Sequence, residues 1–238
     1  MTRNTSATVP QLPLDLGHRP ALGRDDFLVA PCNRAAVAWL DRWPDWPGPA
    51  LAVHGPPGCG KTHLAQVWRA RSGALPVAPA ALADPSALAA AARAFVLDFV
   101  EPDRTPLDEP GLLHFYNLVA ERGGHLLICA RVAPARWPVA LADLRSRLAA
   151  APAVAVAAPD DALIEAVLVK LFADRQLAVG ADALRYLATH MERSFEAARG
   201  AVAAIDRAAL AARRRVTAAL VRDVLAATEK GEKGDSPL

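Results

Sequence analysis

No stretch of this chain approaches the roughly 18 consecutive apolar residues that a membrane span requires, and no basic-then-apolar signal segment opens it. A cytoplasmic protein with no membrane partner is expected. Cysteine is scarce: Cys32, Cys59 and Cys129 stand far apart, without C-x-x-C spacing or clustered histidines. That pattern supports neither a disulfide framework nor a zinc site and reads as three reduced thiols. Charge of one sign is also lacking. With 27 Lys and Arg against 25 Asp and Glu the net charge is +2, short of the basic footprint of a dedicated nucleic-acid binder. The one dense basic run, Arg213-Arg214-Arg215, reads as a solvated helix end. Apolar residues, by contrast, are plentiful. They make up 53% of the 238 residues, enough to bury the core of one large domain or of a large and a small one.

Within this composition one motif dominates. Gly55-Pro56-Pro57-Gly58-Cys59-Gly60-Lys61-Thr62 satisfies every position of G-x-x-x-x-G-K-[ST]. Glycines let successive backbone N–H groups turn inward onto phosphate oxygens, and the following helix adds the positive end of its dipole. Lys61 is expected to reach the β- and γ-phosphates and Thr62 to ligate Mg²⁺, with Pro57, Gly58, Cys59, Gly60 and His63 completing the cradle for ADP or ATP. The context agrees. Ala50–His54 is a short apolar run entering the loop, and Lys61–Arg71 carries Leu64, Ala65 and Trp68 at helical spacing.

Along the chain, residues 1–20 read as a mobile tail, and Asn33–Trp43 as a helix ended by the proline-rich run that follows. After the loop, strands at Leu75–Ala78, Ala94–Asp98, His125–Cys129 and Val154–Val156 alternate with helices at Pro85–Arg93, Gly111–Arg122 and Leu141–Ala149. Alternation of this kind predicts an α/β fold, a parallel sheet flanked by helices, spanning residues 21–158. Beyond Pro159 only helical periodicity remains, through Asp160–Asp174, Ala181–Met191, Phe195–Ala212 and Thr217–Ala226. A small all-helical subdomain over 159–227 is expected, followed by a polar, disordered tail over 228–238.

A phosphate loop also needs an acid for the Mg²⁺ shell at the end of a neighbouring buried strand, and Asp98, after Phe95-Val96-Leu97, is that acid. A second acid commonly follows the first to polarise the attacking water. Here Phe99 follows, and Glu101 is a distant replacement. The next strand should end in a polar group facing the γ-phosphate, but it ends in Cys129-Ala130, a thiol and a methyl. The sequence supports nucleotide binding and gives little support to intrinsic hydrolysis. Two arginines are placed suggestively, Arg147 late in the last helix of the sheet domain and Arg193 at the start of a later helix. By position alone each is an ordinary surface arginine.

The sheet-then-helices layout resembles the AAA+ family and, within it, the DnaA-like branch that includes the Hda proteins. Three segments carry the likeness: Phe27–Arg34 before the first helix, Asp143–Leu148, similar to an arginine-finger box, and Glu192–Ala197, similar to a second sensor motif. It runs from Asp26 to Ala226 and stops short of an origin-reading helix-turn-helix domain. It implies a helical lid, a nucleotide contact from Arg193, and Arg147 as a finger supplied in trans to another ATPase. In the tail, Gln11-Leu12-Pro13-Leu14-Asp15-Leu16 resembles the motif by which replication proteins dock on the β sliding clamp, with Gln11, Leu12, Leu14, Asp15 and Leu16 as contacts. As an isolated hexamer it reads equally well as an apolar cluster packing on its own domain. Within the resemblance the expected partners are the clamp, the initiator DnaA, DNA indirectly through the clamp, and further copies of this chain. A DNA-remodelling or helicase-loading protein that grips single strands is the alternative, and a small-molecule kinase, for which no acceptor pocket is evident, stands third.

Overall fold

Strand and helix alternate to build one five-stranded, all-parallel sheet. The computed structural model describes residues 28–100, 107–212 and 214–234. The elements are α1 (Arg34–Asp41), β1 (Ala50–His54), α2 (Lys61–Ser72), β2 (Leu75–Pro76), α3 (Pro85–Ala91), β3 (Ala94–Val100), α4 (Glu109–Glu121), β4 (His125–Ala130), α5 (Ala142–Ala150) and β5 (Ala153–Ala155). The four helices that follow are α6 (Asp161–Asp174), α7 (Ala181–His190), α8 (Phe195–Ala212) and α9 (Ala218–Gly234). The strand order is β2-β3-β4-β1-β5.

Alternation along each strand sorts side chains onto two cores. Ala50, Ala52, Phe95, Leu97, Leu126 and Ile128 face α4 and α5, meeting Leu112, Phe115, Leu144 and Leu148. Leu51, Val53, Val96, Leu127 and Cys129 face α1 and α2, meeting Val37, Leu40, Leu64 and Trp68. Both faces are covered, so these strands read as continuous apolar runs. The third core belongs to the helical lid, where Ile164, Leu168, Phe172, Leu187, Val202 and Ile205 pack together.

Two expectations from the sequence need adjustment. β2 is only two residues long, because Pro76 has no N–H to extend the ladder and the chain turns at Pro79 into a short 3-10 helix, Pro79–Ala83, that the apolar pattern did not announce. At the other end α9 runs to Gly234, through residues read from their polarity as disordered. Glu and Lys are strong helix formers, and polarity alone does not end a helix.

Candidate functional site

Parallel strands bring their C-terminal ends to one edge, and the loop after β1 lies there between β4 and β5. The Gly55 N–H donates to Ala130 O at 3.2 Å, and the Val156 N–H donates to His54 O at 2.7 Å, so both neighbouring strands anchor the loop entrance. Gly58 and Gly60 have φ of +68° and +102°, which side-chain-bearing residues rarely adopt. Gly60 caps α2. Gly60 has no side chain to cap that helix, and its first turn holds no acid. Its start therefore carries no carboxylate of its own, as an anion cradle requires.

Lys61 arches back over the loop. Its Nζ donates to Gly55 O at 2.8 Å and Pro56 O at 2.7 Å, and lies 3.7 Å from Cys59 Sγ. Thr62 is exposed in the first turn of α2, Pro57 is exposed on the loop, Gly58 and His63 are half-buried, and Cys59 is sealed in the core. Register places Asp98 beside Cys129, and Cys129 beside Val53, in one row across β3, β4 and β1. Alternation turns that row towards α2, so Asp98 shares a face with the loop. A register shift between Asp98 and Val100 bends the strand just beyond the acid, as bulges near sites commonly do. His54, at the end of β1, has its imidazole held below the ordinary value by burial first and by the Arg136 and Lys61 cations next.

The end of β4 is apolar. Cys129 and Ala130 are 0% and 2% exposed, and burial, with the Asp98 charge adding to it, pushes the Cys129 thiol far up. It stays protonated, a weak donor beside the acid. Among the described residues no group of three or more His, Cys, Asp or Glu side chains could hold a metal. The donor set at the loop therefore fits Mg²⁺ carried in on phosphate, with Thr62 and Asp98 beside it, and not a cage built by the protein alone.

The lid closes directly on the loop. The Phe195 N–H donates to Gly58 O at 2.9 Å, and a Cβ on Gly58 would overlap Ser194. The Phe195 ring lies 3.1–3.2 Å from where a Cβ on Gly60 would sit. Between base and lid is a cleft of 200 Å³, with Leu28, Gly60 and His63 on one wall and Val167, Leu171 and Phe195 on the other. Lys170, Asp174 and Arg199 add polar groups to its rim.

The two sequence-selected arginines lie elsewhere. Arg193 does not line this cleft: its Nε and Nη2 donate to Asp161 at 2.8 and 3.0 Å, bridging the starts of α6 and α8. Arg147 is exposed on α5, with its guanidinium 5.9 Å from the centre of the Tyr116 ring. Arg199 was not singled out from the sequence. The available signal was its spacing of four from Phe195, which puts both on one face of α8. Gln11, Leu12, Leu14, Asp15 and Leu16, with Glu101, lie outside the described residues.

Residues 161–225 match the family model described as Hda, lid domain. A search of curated proteins returns no match. Among solved structures, domain III of the Thermotoga maritima replication initiation protein DnaA is similar at TM-score 0.73 and 17% identity, over 87% of this chain and 96% of that one. The AMPPCP-bound DnaA from Aquifex aeolicus follows at TM-score 0.63 and 15% identity, over 75% of this chain and 63% of that one. The Thermotoga maritima RuvB Holliday junction branch migration motor gives 0.63 and 15%, over 82% and 66%. This chain thus spans just under two thirds of those two longer proteins. Residues 161–225 thus resemble an Hda lid, and the chain as a whole, a parallel sheet flanked by helices with a complete phosphate loop, shares the fold of DnaA domain III.

Proposed function

We propose that this protein binds ADP or ATP between its sheet and its lid and uses the bound state to control the replication initiator DnaA. The observation that carries the reading is the pairing of a complete phosphate loop with an Hda-type lid that is hydrogen-bonded to it, Phe195 N–H to Gly58 O. In this reading the N–H groups from Gly58 to His63 cradle the phosphates, Lys61 leaves its two carbonyls to meet them, and Thr62 and Asp98 face the accompanying Mg²⁺. When bound, that ion neutralises phosphate charge. The base enters the apolar cleft at Leu28, Val167 and Leu171.

Arg147 is assigned to a partner. It is exposed on α5, away from the loop, with Tyr116 beneath it, a placement suited to entering the ATP site of a docked initiator. An arginine supplied in trans to a transferring phosphoryl group contributes about 10³–10⁵ in rate. The apolar end of β4 supports the same division of labour, in which this chain holds nucleotide and its partner cuts it. The tail residues Gln11 to Leu16 serve as the clamp ligand, so that DNA is reached through the clamp, and nucleotide-dependent self-association of the AAA+ type completes the assembly.

Hydrolysis by ATP-loaded initiator, measured with clamp loaded on DNA and this protein at saturation, tests the reading. The unaltered protein should accelerate it and Arg147→Ala should lose at least ~100-fold of that acceleration. Equal stimulation by both would remove the finger. Replacing Gln11, Leu14 and Leu16 together by Ala should abolish clamp binding. If binding persists, the clamp assignment goes. Tight, salt-sensitive binding of single-stranded DNA without clamp would instead support the remodelling alternative.

A further inference from the structure

The lid carries a positive charge on the nucleotide cleft that no motif assigned. Arg199 is exposed on α8, one turn beyond Phe195, and lines the cleft together with Gly60 and His63. It takes part in no hydrogen bond or ion pair among the described residues. The other charged groups of that rim cancel, because Lys170 Nζ lies 3.1 Å from both oxygens of Asp174. Asp206, further along α8, is engaged by Arg175 at 3.8 Å. Arg193 is held by Asp161 at 2.8 Å. Among the described residues the rim therefore keeps the Arg199 charge uncompensated, and it faces the end of a loop built to receive an anion.

We infer that Arg199 is the lid's contact to the bound nucleotide, and that it acts on the phosphate and ribose nearest the base. The place of the cleft decides which end. It touches Gly60 and His63, the last loop glycine and the first turn of α2, and apart from the Lys170, Asp174 and Arg199 rim it is lined by the apolar side chains of Leu28, Val167, Leu171 and Phe195, suited to a base. Lys61, Thr62 and Asp98, the groups around the terminal phosphates, do not line it. A guanidinium there meets a group that ADP and ATP share, so it holds the lid closed over either nucleotide and does not tell them apart. Charge-assisted hydrogen bonds from Arg to phosphate are short and strong, and they form only once the ligand is in place. This inference rests on the nucleotide reading above.

Calorimetric titration of the full chain with ADP and with ATP, both with Mg²⁺, tests it. Arg199→Ala should weaken both nucleotides by the same factor, about 10-fold, Arg199→Glu should weaken both further, and Arg199→Lys should stay within about threefold of the unaltered chain. Because Arg199 is exposed and unbonded, the melting temperature without nucleotide should not change. A loss confined to ATP would make it a sensor of the terminal phosphate and overturn the proposal. So would unchanged affinity in all three variants, or loss in Arg193→Ala with Arg199→Ala unaffected. If the unaltered chain binds neither nucleotide, the nucleotide reading itself falls, whereas binding that ignores Arg199 overturns this inference alone.

Discussion

The ends of β1 and β4 lie side by side at the same edge of the sheet and could hardly differ more. β1 runs into glycines with positive φ, an uncapped helix start and a lysine, every group that holding phosphate requires. β4 runs into a buried thiol and a methyl. Three helices are handled differently: α3, α4 and α6 have an N–H of their first turn accepted by Asp84, Asp108 and Asp160, whereas α1, α5 and α7, like α2, have no side-chain cap. An internal carboxylate stabilises a helix start by about 1 kcal/mol. α2 forgoes that, which leaves its start open to an external anion. The end of β1 offers the groups that suit phosphate, and the end of β4 offers a buried thiol and a methyl, so the two ends can be tested separately.

The contrast breaks most completely at the lysine. Lys61→Ala removes the mobile cation from the loop and should weaken ADP and ATP by about 100-fold in calorimetry, the scale of a lost charge-assisted hydrogen bond. A binding constant unchanged by that substitution would mean that the β1 end is not the phosphate site. Next in size is Gly58→Val, which forces a β-branched residue into left-handed backbone and drives its Cβ into Ser194. The expected cost of about 2–3 kcal/mol lowers the melting temperature by roughly 5–10 °C.

The β4 end can be sharpened in the opposite direction. Cys129→Ser exchanges a weak donor for a hydroxyl next to Asp98, and turnover of ATP by the protein alone should rise by no more than about 10-fold, with ADP affinity held within twofold. A rise of several hundredfold would show that a single polar atom was all the strand lacked. The smallest effect concerns His54. Its folded-state pKa lies below the ordinary 6.5, so the unfolded chain takes up this proton first as pH falls. The favourable difference is complete above the unfolded value and is lost as pH drops through it towards the folded one. Melting curves from pH 7.5 to 5 should show His54→Gln falling less steeply than the unaltered chain, by about 1 °C.

Much of the fold was legible because its signals are local. The β1 run Ala50–His54 and the 3.6-residue period of Phe195–Ala212 emerge at the expected positions, since apolar spacing is what the sheet and lid cores select. The phosphate loop was legible for the same reason, eight contiguous residues carrying one geometry. What stayed hidden is non-local. The partner of Arg193 is 32 residues upstream. The cleft draws Leu28 and Arg199 from opposite ends of the chain. Cys59 and Cys129, far apart in the sequence, are buried in the same core on the α1 and α2 side of the sheet. Sequence spacing has no means of announcing such meetings.

The hydrogen bond from the Phe195 N–H to Gly58 O makes the phosphate loop the fulcrum of a lever. α8 has 18 residues and so extends about 27 Å from that point. A tilt of about 5° at the fulcrum sweeps its far end through roughly 2 Å, comparable to the helix shifts that switch subunit interfaces. Leu210, 69% exposed near that far end, would travel with it. A displacement too small to notice among the phosphates is thereby magnified into a change of surface that a neighbouring protein can feel.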